Sequence, residues 1–366
     1  MPVLIYNFQI SFSLKSMKIQ YYITCCLLFV MASAVAQKKL AKQEFLLTGT
    51  ISGKADGSVY VRYMGMHGKF VIDSCHLQQG HFSLTGFIKE PTITFISTLK
   101  RAIPDDDDME ADGKNSTLFF LEPGTVTANF EVGRFKDGQF SGSASQDQFA
   151  ELNRQTAQLN GKEKEAALHR FLDQHPDSYV TAYLVSNSHF DLDSLRLYYN
   201  RLPKPVKKSA YGEDISEKIE KKEKVAIGHS APDFKQQTAD GKEISIKDFR
   251  GKYVLLTFWN ATNSTSRTEN QKLVSVYNQF KDKNFTILGA STDGQATRKI
   301  WRAALQKDAL PWIQLLALKS NHNPAATAYD IESLPANFLI DPKGKIIGVN
   351  LKPEALSQKL AGLINK

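Results

Sequence analysis

Tyr253-Val254-Leu255-Leu256-Thr257-Phe258-Trp259, followed by Asn260-Ala261-Thr262 and then Asn263-Ser264-Thr265-Ser266-Arg267, is the stretch on which the fold turns. The first seven residues are almost continuously apolar, β-branched or aromatic, and so predict a strand covered on both faces, as in a parallel sheet. The Asn/Ser/Thr run predicts a helix start, because side-chain oxygens of these types accept the unpaired N–H groups of a first turn. A helix is therefore expected from Thr265 to Lys281. Outward from this pair, Phe285 to Ala290 reads as a second buried strand, Ala296 to Lys307 as a helix and Trp312 to Leu318 as a strand. Asn337 to Ile340 and Lys345 to Val349 form a hairpin around Asp341-Pro342-Lys343-Gly344, and Pro353 to Ile364 a last helix. Strands alternating with helices imply βαβ units and a mostly parallel sheet, here closed by an antiparallel hairpin.

Nearer the N-terminus the pattern changes. From Phe45 to about Phe140 apolar residues recur with a period near 2, with turns at Lys54 to Gly57, Gly65 to Gly68 and Gln78 to Gly80. This predicts a small antiparallel sandwich or barrel. Pro104 to Lys114 interrupts it with an acidic loop whose like charges repel. Asp108, Glu110, Asp112 and Gly113 match the opening of a calcium loop, but Phe119 stands where the bidentate Glu belongs and the flanks read as strand, so the loop is expected to be solvated and no metal site is assigned. From Ser143 to Lys224 the pattern is helical. Ser145 with Gln148 reads as a capping box, with Phe149, Leu152, Thr156 and Leu159 following at helical spacing. Leu168 to Leu172, Tyr179 to Val185 and Leu195 to Leu202 mark further helices, and the charged run Lys204 to Lys224 a solvated helix and linker.

The 366 residues are 42% hydrophobic, 10% aromatic and 23% charged, enough to bury a core and too apolar for disorder. A start at Met17 gives a short export signal: Lys18, the apolar run Tyr21 to Met31, and Ala34-Val35-Ala36 before Gln37. The apolar run is shorter than the roughly 18 residues a membrane span needs. Lipidation at Cys25 or Cys26 is disfavoured, since Tyr22-Ile23-Thr24 lack the small residue wanted before a lipidated cysteine. Residues 1–36 carry Lys15, Lys18 and no acid, so the formal charge of +8 falls by two, to +6, on their removal. No Lys/Arg stripe interleaved with aromatics occurs, which argues against nucleic acid as a partner. Cys75 would then be the sole cysteine, within an alternating strand pattern, and no intramolecular disulfide could form. The organisation expected is a leader over 1–36, a β-rich domain over 37–142, a helical connector over 143–224 and an α/β domain over 225–366.

Three strings together resemble the thioredoxin-like fold, and within it the exported thiol-disulfide oxidoreductases of the AhpC/TSA and TlpA/ResA group. They are Ala226-Ile227-Gly228 to Ala231-Pro232-Asp233-Phe234, Asp248-Phe249-Arg250-Gly251-Lys252 running into the strand Tyr253 to Trp259, and Leu334-Pro335-Ala336-Asn337-Phe338-Leu339-Ile340-Asp341 with Gly344-Lys345-Ile346. Asp73-Ser74, Gly80-His81-Phe82 and Phe119 to Gly124 resemble the β-rich domain of unknown function that precedes such domains in bacterial envelope proteins. The resemblance implies a cis peptide at Leu334-Pro335, facing a Cys-x-x-Cys pair at the helix start, where partial positive charge stabilises a thiolate.

This chain has Asn263, Ser264, Thr265 and Ser266 there, with Asn263 and Ser266 at the two sulfur positions, and no cysteine from Ala226 to Lys366. The dithiol cycle has no atoms to run on. Ser266 as an acyl-transfer nucleophile would need an aligned base, and His229 and His322 stand in no recognisable relation to it. The four residues are expected to cap the helix, with Trp259, Leu334 and Pro335 as candidates for a binding groove; Trp259, Trp301 and Trp312 are each candidates for the groove wall or the core, the core being favoured. The sequence therefore predicts a non-catalytic binding or scaffolding protein of the periplasm or cell envelope, without cofactor, its partner a protein or peptide. The rival is a thiol-disulfide oxidoreductase of envelope redox homeostasis whose one available thiol is Cys75. No oligomeric state is assigned.

Overall fold

The computed structural model describes residues 42–100, 111–316 and 323–364. The leader and signal, the acidic residues from Pro104 to Glu110, Leu318 and His322 lie outside the described residues. The chain divides into two compact units between Gln146 and Asp147.

The first unit is two four-stranded sheets. One has the order β4 (His81–Phe87), β1 (Glu44–Ser52), β7 (Gly124–Glu131), β8 (Gln139–Ser141); the other β3 (Phe70–Leu77), β2 (Gly57–Met64), β5 (Thr92–Ser97), β6 (Ser116–Leu121). Alternation does the work: in β1, Phe45, Leu47 and Ile51 turn inward while Leu46, Thr48 and Thr50 stay partly exposed. Residues from both sheets join one core, including Phe45 against Tyr63 edge-on at 5.1 Å. Each such fully buried side chain contributes about 1.5–3 kcal/mol. One pairing departs from the expected antiparallel pattern, since β1 and β7 run parallel, with Gly49 opposite Ala128. A Cβ at Gly49 would lie 1.7 Å from the Ala128 carbonyl oxygen, so this close approach requires glycine.

Cys75 sits half-buried in the edge strand β3 and packs against the core. Asp112, whose position matches the opening of a calcium loop to which no metal is assigned, closes a turn: its Oδ1 accepts the N–H groups of Lys114, Asn115 and Ser116 at 2.9, 2.7 and 3.0 Å. Burial works to raise this carboxyl, but the bonds from Asn115, Ser116 and Lys114 outweigh it and hold its pKa at about 2.

Helix α1 (Ala144–Thr156) starts two residues earlier than Ser145 as a cap would place it. Ser143 Oγ accepts the Gln146 N–H at 3.0 Å, so Ser143 caps the helix. The Ser145 N–H goes to Glu122 at 2.7 Å, and Gln148 accepts the Ser178 hydroxyl. The capping box over Ser145 and Gln148 is thus corrected: Gln146 stands third in the helix and spends its side-chain oxygen on the Phe120 N–H.

The second unit continues with α2 (Gly161–Gln174), α3 (Tyr179–Ser186), α4 (Leu192–Arg201), the short α5 (Lys204–Lys207) and α6 (Ala210–Lys224), which is helical to its end where a linker was expected. After the small hairpin β9 (Lys235–Gln237) and β10 (Glu243–Ser245) comes a five-stranded sheet. Its order is β13 (Ile313–Leu316), β12 (Phe285–Ser291), β11 (Tyr253–Trp259), β14 (Ala336–Ile340), β15 (Ile346–Val349). β11 to β13 are parallel, and β14 and β15 are antiparallel.

Helices α7 (Ser264–Phe280) and α10 (Pro353–Ile364) cover one face. There Leu273, Val276, Phe280, Leu356 and Leu360 pack on Leu255, Ile287 and Leu339. The other face carries Val254, Leu256 and Phe258 against Phe234 and Tyr329, the latter just past α9 (Pro324–Ala328). Helix α8 (Arg298–Asp308) buries Trp301 with Trp259.

Candidate functional site

The turn from β11 into α7 is built almost wholly of polar side chains that bond backbone. Asn260 Oδ1 accepts the N–H and hydroxyl of Thr262 at 2.9 and 2.7 Å, folding the loop back on itself. Asn263 then caps the helix: its Oδ1 accepts the Ser266 N–H at 2.9 Å from an extended backbone at φ −86°, ψ 109°. Of the four residues expected to cap, Asn263 alone is the cap residue; Ser264 and Thr265 lie exposed in the first turn. Ser266 is wholly buried, and its hydroxyl has no hydrogen-bond partner among the described residues. One turn on, Asn270 is buried and its Nδ2 is also without a partner.

A residue the sequence reading passed over ties this loop down. Asp293, just beyond β12 and 1% exposed, accepts the Ala261 N–H at 2.8 Å and the Ser291 hydroxyl at 2.7 Å on the same oxygen. It therefore joins the ends of β11 and β12 to the loop before α7. The polar trio Ser291-Thr292-Asp293 after a buried strand was the available signal. Arg267 reaches from the first turn to Asp308 with two bonds, 2.8 and 2.6 Å, and Gln271 adds a third at 3.2 Å. The Arg267 guanidinium holds the Asp308 carboxyl below the usual carboxylate range.

Trp259, a candidate for groove wall or core, is entirely buried, and its indole N–H donates to Gln314 at 3.2 Å. It is a core residue, because the last position of β11 points under α8. Trp301 and Trp312, the other two candidates for groove wall or core, are buried too. Leu334 and Pro335 are half-buried and joined by a cis peptide. They take no part in the hydrogen bonds described for the helix start, which run among residues 260–267 and to Thr292, Asp293 and Asp308. His229 lies at the far end of the sheet, where its carbonyl accepts the Ile346 N–H at 2.9 Å. No base is hydrogen-bonded to the Ser266 hydroxyl among the described residues, and the helix start is capped by Asn263.

Residues 227–349 match the model of the AhpC/TSA family, and residues 45–149 that of a domain of unknown function, DUF4369. Residues 227–349 belong to the AhpC/TSA family. The AhpC/TSA region has the thioredoxin-like fold, preceded by the β-rich unit and its following helices. It is similar to the thiol-disulfide oxidoreductase ResA of Bacillus thuringiensis, 29% identical over 146 residues, 40% of this chain and 81% of that protein. The thioredoxin-like protein YneN of Bacillus subtilis is 29% identical over 137 residues, 36% of this chain and 78% of that protein. A solved thioredoxin domain of a thiol-disulfide oxidoreductase from Bacteroides vulgatus is 36% identical; the match covers 38% of this chain and 99% of that one, with a TM-score of 0.35.

Because a single side-chain oxygen closes the helix in this AhpC/TSA region, Asn263→Ala should lower unfolding stability by about 1 kcal/mol, and Asn263→Asp should keep it. Urea unfolding monitored by circular dichroism checks this. Equal stability of the alanine variant would mean the Ser266 N–H finds another acceptor.

Proposed function

We propose that the protein is exported and that its AhpC/TSA region is a non-catalytic binding module of the cell envelope. The occupant is a partner protein or extended peptide held at the face carrying Asn263, Leu334 and Pro335. The observation that carries this reading is the bond from the Ser266 N–H to Asn263 Oδ1. A helix N-terminus demands an acceptor, and here an uncharged, non-nucleophilic amide oxygen supplies it. With no cysteine from Ala226 to Lys366 and Ser266 buried without a base, neither half of a dithiol exchange is present in the region. Export rests on Lys18, the apolar run Tyr21 to Met31 and Ala34-Val35-Ala36. Among the described residues no helix is long and apolar enough to cross a membrane.

The rival thiol, Cys75, gains nothing from its surroundings. Burial pushes its pKa up and the Asp73 charge adds to this, against a lowering bond with the Ser83 backbone. A thiol so placed is less thiolate at neutral pH than a free one, the opposite of what thiol exchange needs.

Two outcomes are expected. In an insulin reduction assay driven by dithiothreitol, the purified chain and its Cys75→Ser variant should both give the uncatalysed rate. Turnover that survives the substitution would show that the redox centre is not Cys75 and has been misplaced. For export, N-terminal sequencing of protein recovered from the envelope should begin at or near Gln37. A chain recovered from the cytoplasm with residues 17–36 intact would contradict that part of the proposal.

A further inference from the structure

Helix α8 follows β12 as α7 follows β11, and because the two strands run parallel both helices start at the same edge of the sheet. The two starts differ in what meets their free N–H groups. Asn263 caps α7, whereas Thr297 gives its hydroxyl to the Gly294 carbonyl at 3.4 Å and α8 has no side-chain cap. The first turn of α8 carries Arg298 and Lys299 and no acid. Cations there add to the partial positive charge of the helix end, an arrangement that costs stability until an anion meets it.

The outward face of α8 is basic along its whole length. Trp301, Ala304 and Asp308 turn into the core, and the exposed residues are Lys299, Ile300, Arg302, Ala303, Gln306 and Lys307. Asp308, the one acid of the helix, is bonded to Arg267 and Gln271, and Lys307 acts on the same carboxyl. Asp293, ahead of the helix, is 1% exposed and turned toward Ala261 and Ser291. Among the described residues no ion pair or side-chain hydrogen bond joins Arg298, Lys299 or Arg302 to an acid. Lys299 and Arg302 are exposed; Arg298 is half-buried, with the Nε of its guanidinium enclosed. Arg302 stands three and four residues beyond Lys299 and Arg298, the spacings that bring side chains together on a helix surface.

We propose that this face of α8 docks an extended, acidic polypeptide segment, whose carboxylates at alternate positions are received by Arg298 and Arg302 with Lys299 beside them. Four residues of α-helix advance about 6 Å, and two residues of extended chain about 6.6 Å. Glu or Asp at every second position of a chain laid along α8 therefore meets the two guanidinium groups in register, and arginine is the side chain that grips a carboxylate with two parallel bonds. A bilayer fits this face less well. The apolar side of α8 is spent on the core, which leaves Ile300, 49% exposed, as the large apolar side chain the helix offers outward, whereas a helix lying on a membrane binds through an apolar face. The inference goes beyond the reading of Asn263 and does not depend on it.

Calorimetric titration of the whole chain at low ionic strength tests it, with acetyl-Glu-Thr-Glu-Thr-Glu-amide and its glutamine counterpart as probes. The glutamate peptide should bind one to one, more weakly as salt is added, and the glutamine peptide should not bind. Lys299→Gln with Arg302→Gln, both at exposed positions, should weaken the glutamate peptide by about tenfold or more, the effect of losing charge-assisted bonds. Lys343→Gln with Lys345→Gln removes the same charge from the exposed hairpin at the opposite end of the sheet and should leave the affinity unchanged. Circular dichroism confirms that both variants are folded. No binding of the glutamate peptide, equal binding of the glutamine peptide, full affinity in the α8 variant or an equal loss in the hairpin variant would each overturn the proposal. So would phosphatidylglycerol vesicles that bind in an Arg302-dependent way where the peptide does not, since that result would assign the face to a lipid surface.

Discussion

The register of β11 is the constraint from which the second unit is built. From Val254 to Trp259 every residue is buried, so the strand has no solvent face toward which it could slip. Its parallel pairing with β12, Tyr253 opposite Phe285, and its antiparallel pairing with β14, Val254 opposite Ile340, fix it from both sides. A shift of one residue would exchange Leu255, which packs under α7, with Leu256 and Val254, which pack toward Tyr329. Only four residues separate the end of this strand from α7, so the position of the helix start follows from the register. Asp293 then completes the tie by binding the Ala261 N–H from the end of the neighbouring strand.

The chemistry of the site follows from what a helix N-terminus requires. Its free N–H groups and partial positive charge stabilise any acceptor placed there, a thiolate or an amide oxygen alike. In this chain the acceptor is the Asn263 side chain, and the turn around it is closed by bonds from Asn260 and Asp293. The same physical feature that would activate a cysteine is thus used up in holding the loop in place. Ser266 lies buried behind this cap, its hydroxyl without a hydrogen-bond partner among the described residues.

Much of this was legible in the sequence because the signals were local. The apolar run of β11 and the hairpin at Asp341 to Gly344 each rest on adjacent residues, whereas the cis peptide at Leu334-Pro335 was implied by the family resemblance. What escaped the reading depends on residues far apart in the chain. The parallel pairing of β1 with β7 joins strands about 80 residues apart, and neither strand's alternation encodes its partner's direction. Trp259 reads as groove wall or core, with the core favoured, until α8 is seen to cover it. Asp293 and the Arg267–Asp308 pair are ordinary polar residues in sequence, and only the fold brings them to the helix start. Near α1 the local signal itself misled, because Ser143 and Ser145 are both competent caps and the bond from Ser145 to Glu122 decides between them.

The central claim is that the start of α7 is an intact acceptor site occupied by an amide oxygen. The direct test is the double substitution Asn263→Cys with Ser266→Cys, read by thiolate absorbance across pH in protein shown by circular dichroism to be folded. The account predicts that the thiol introduced at position 263 titrates below the free value of about 8.5 and forms a reversible disulfide with the one at position 266. Two thiols that titrate like free cysteine and remain unpaired in the folded protein would contradict it.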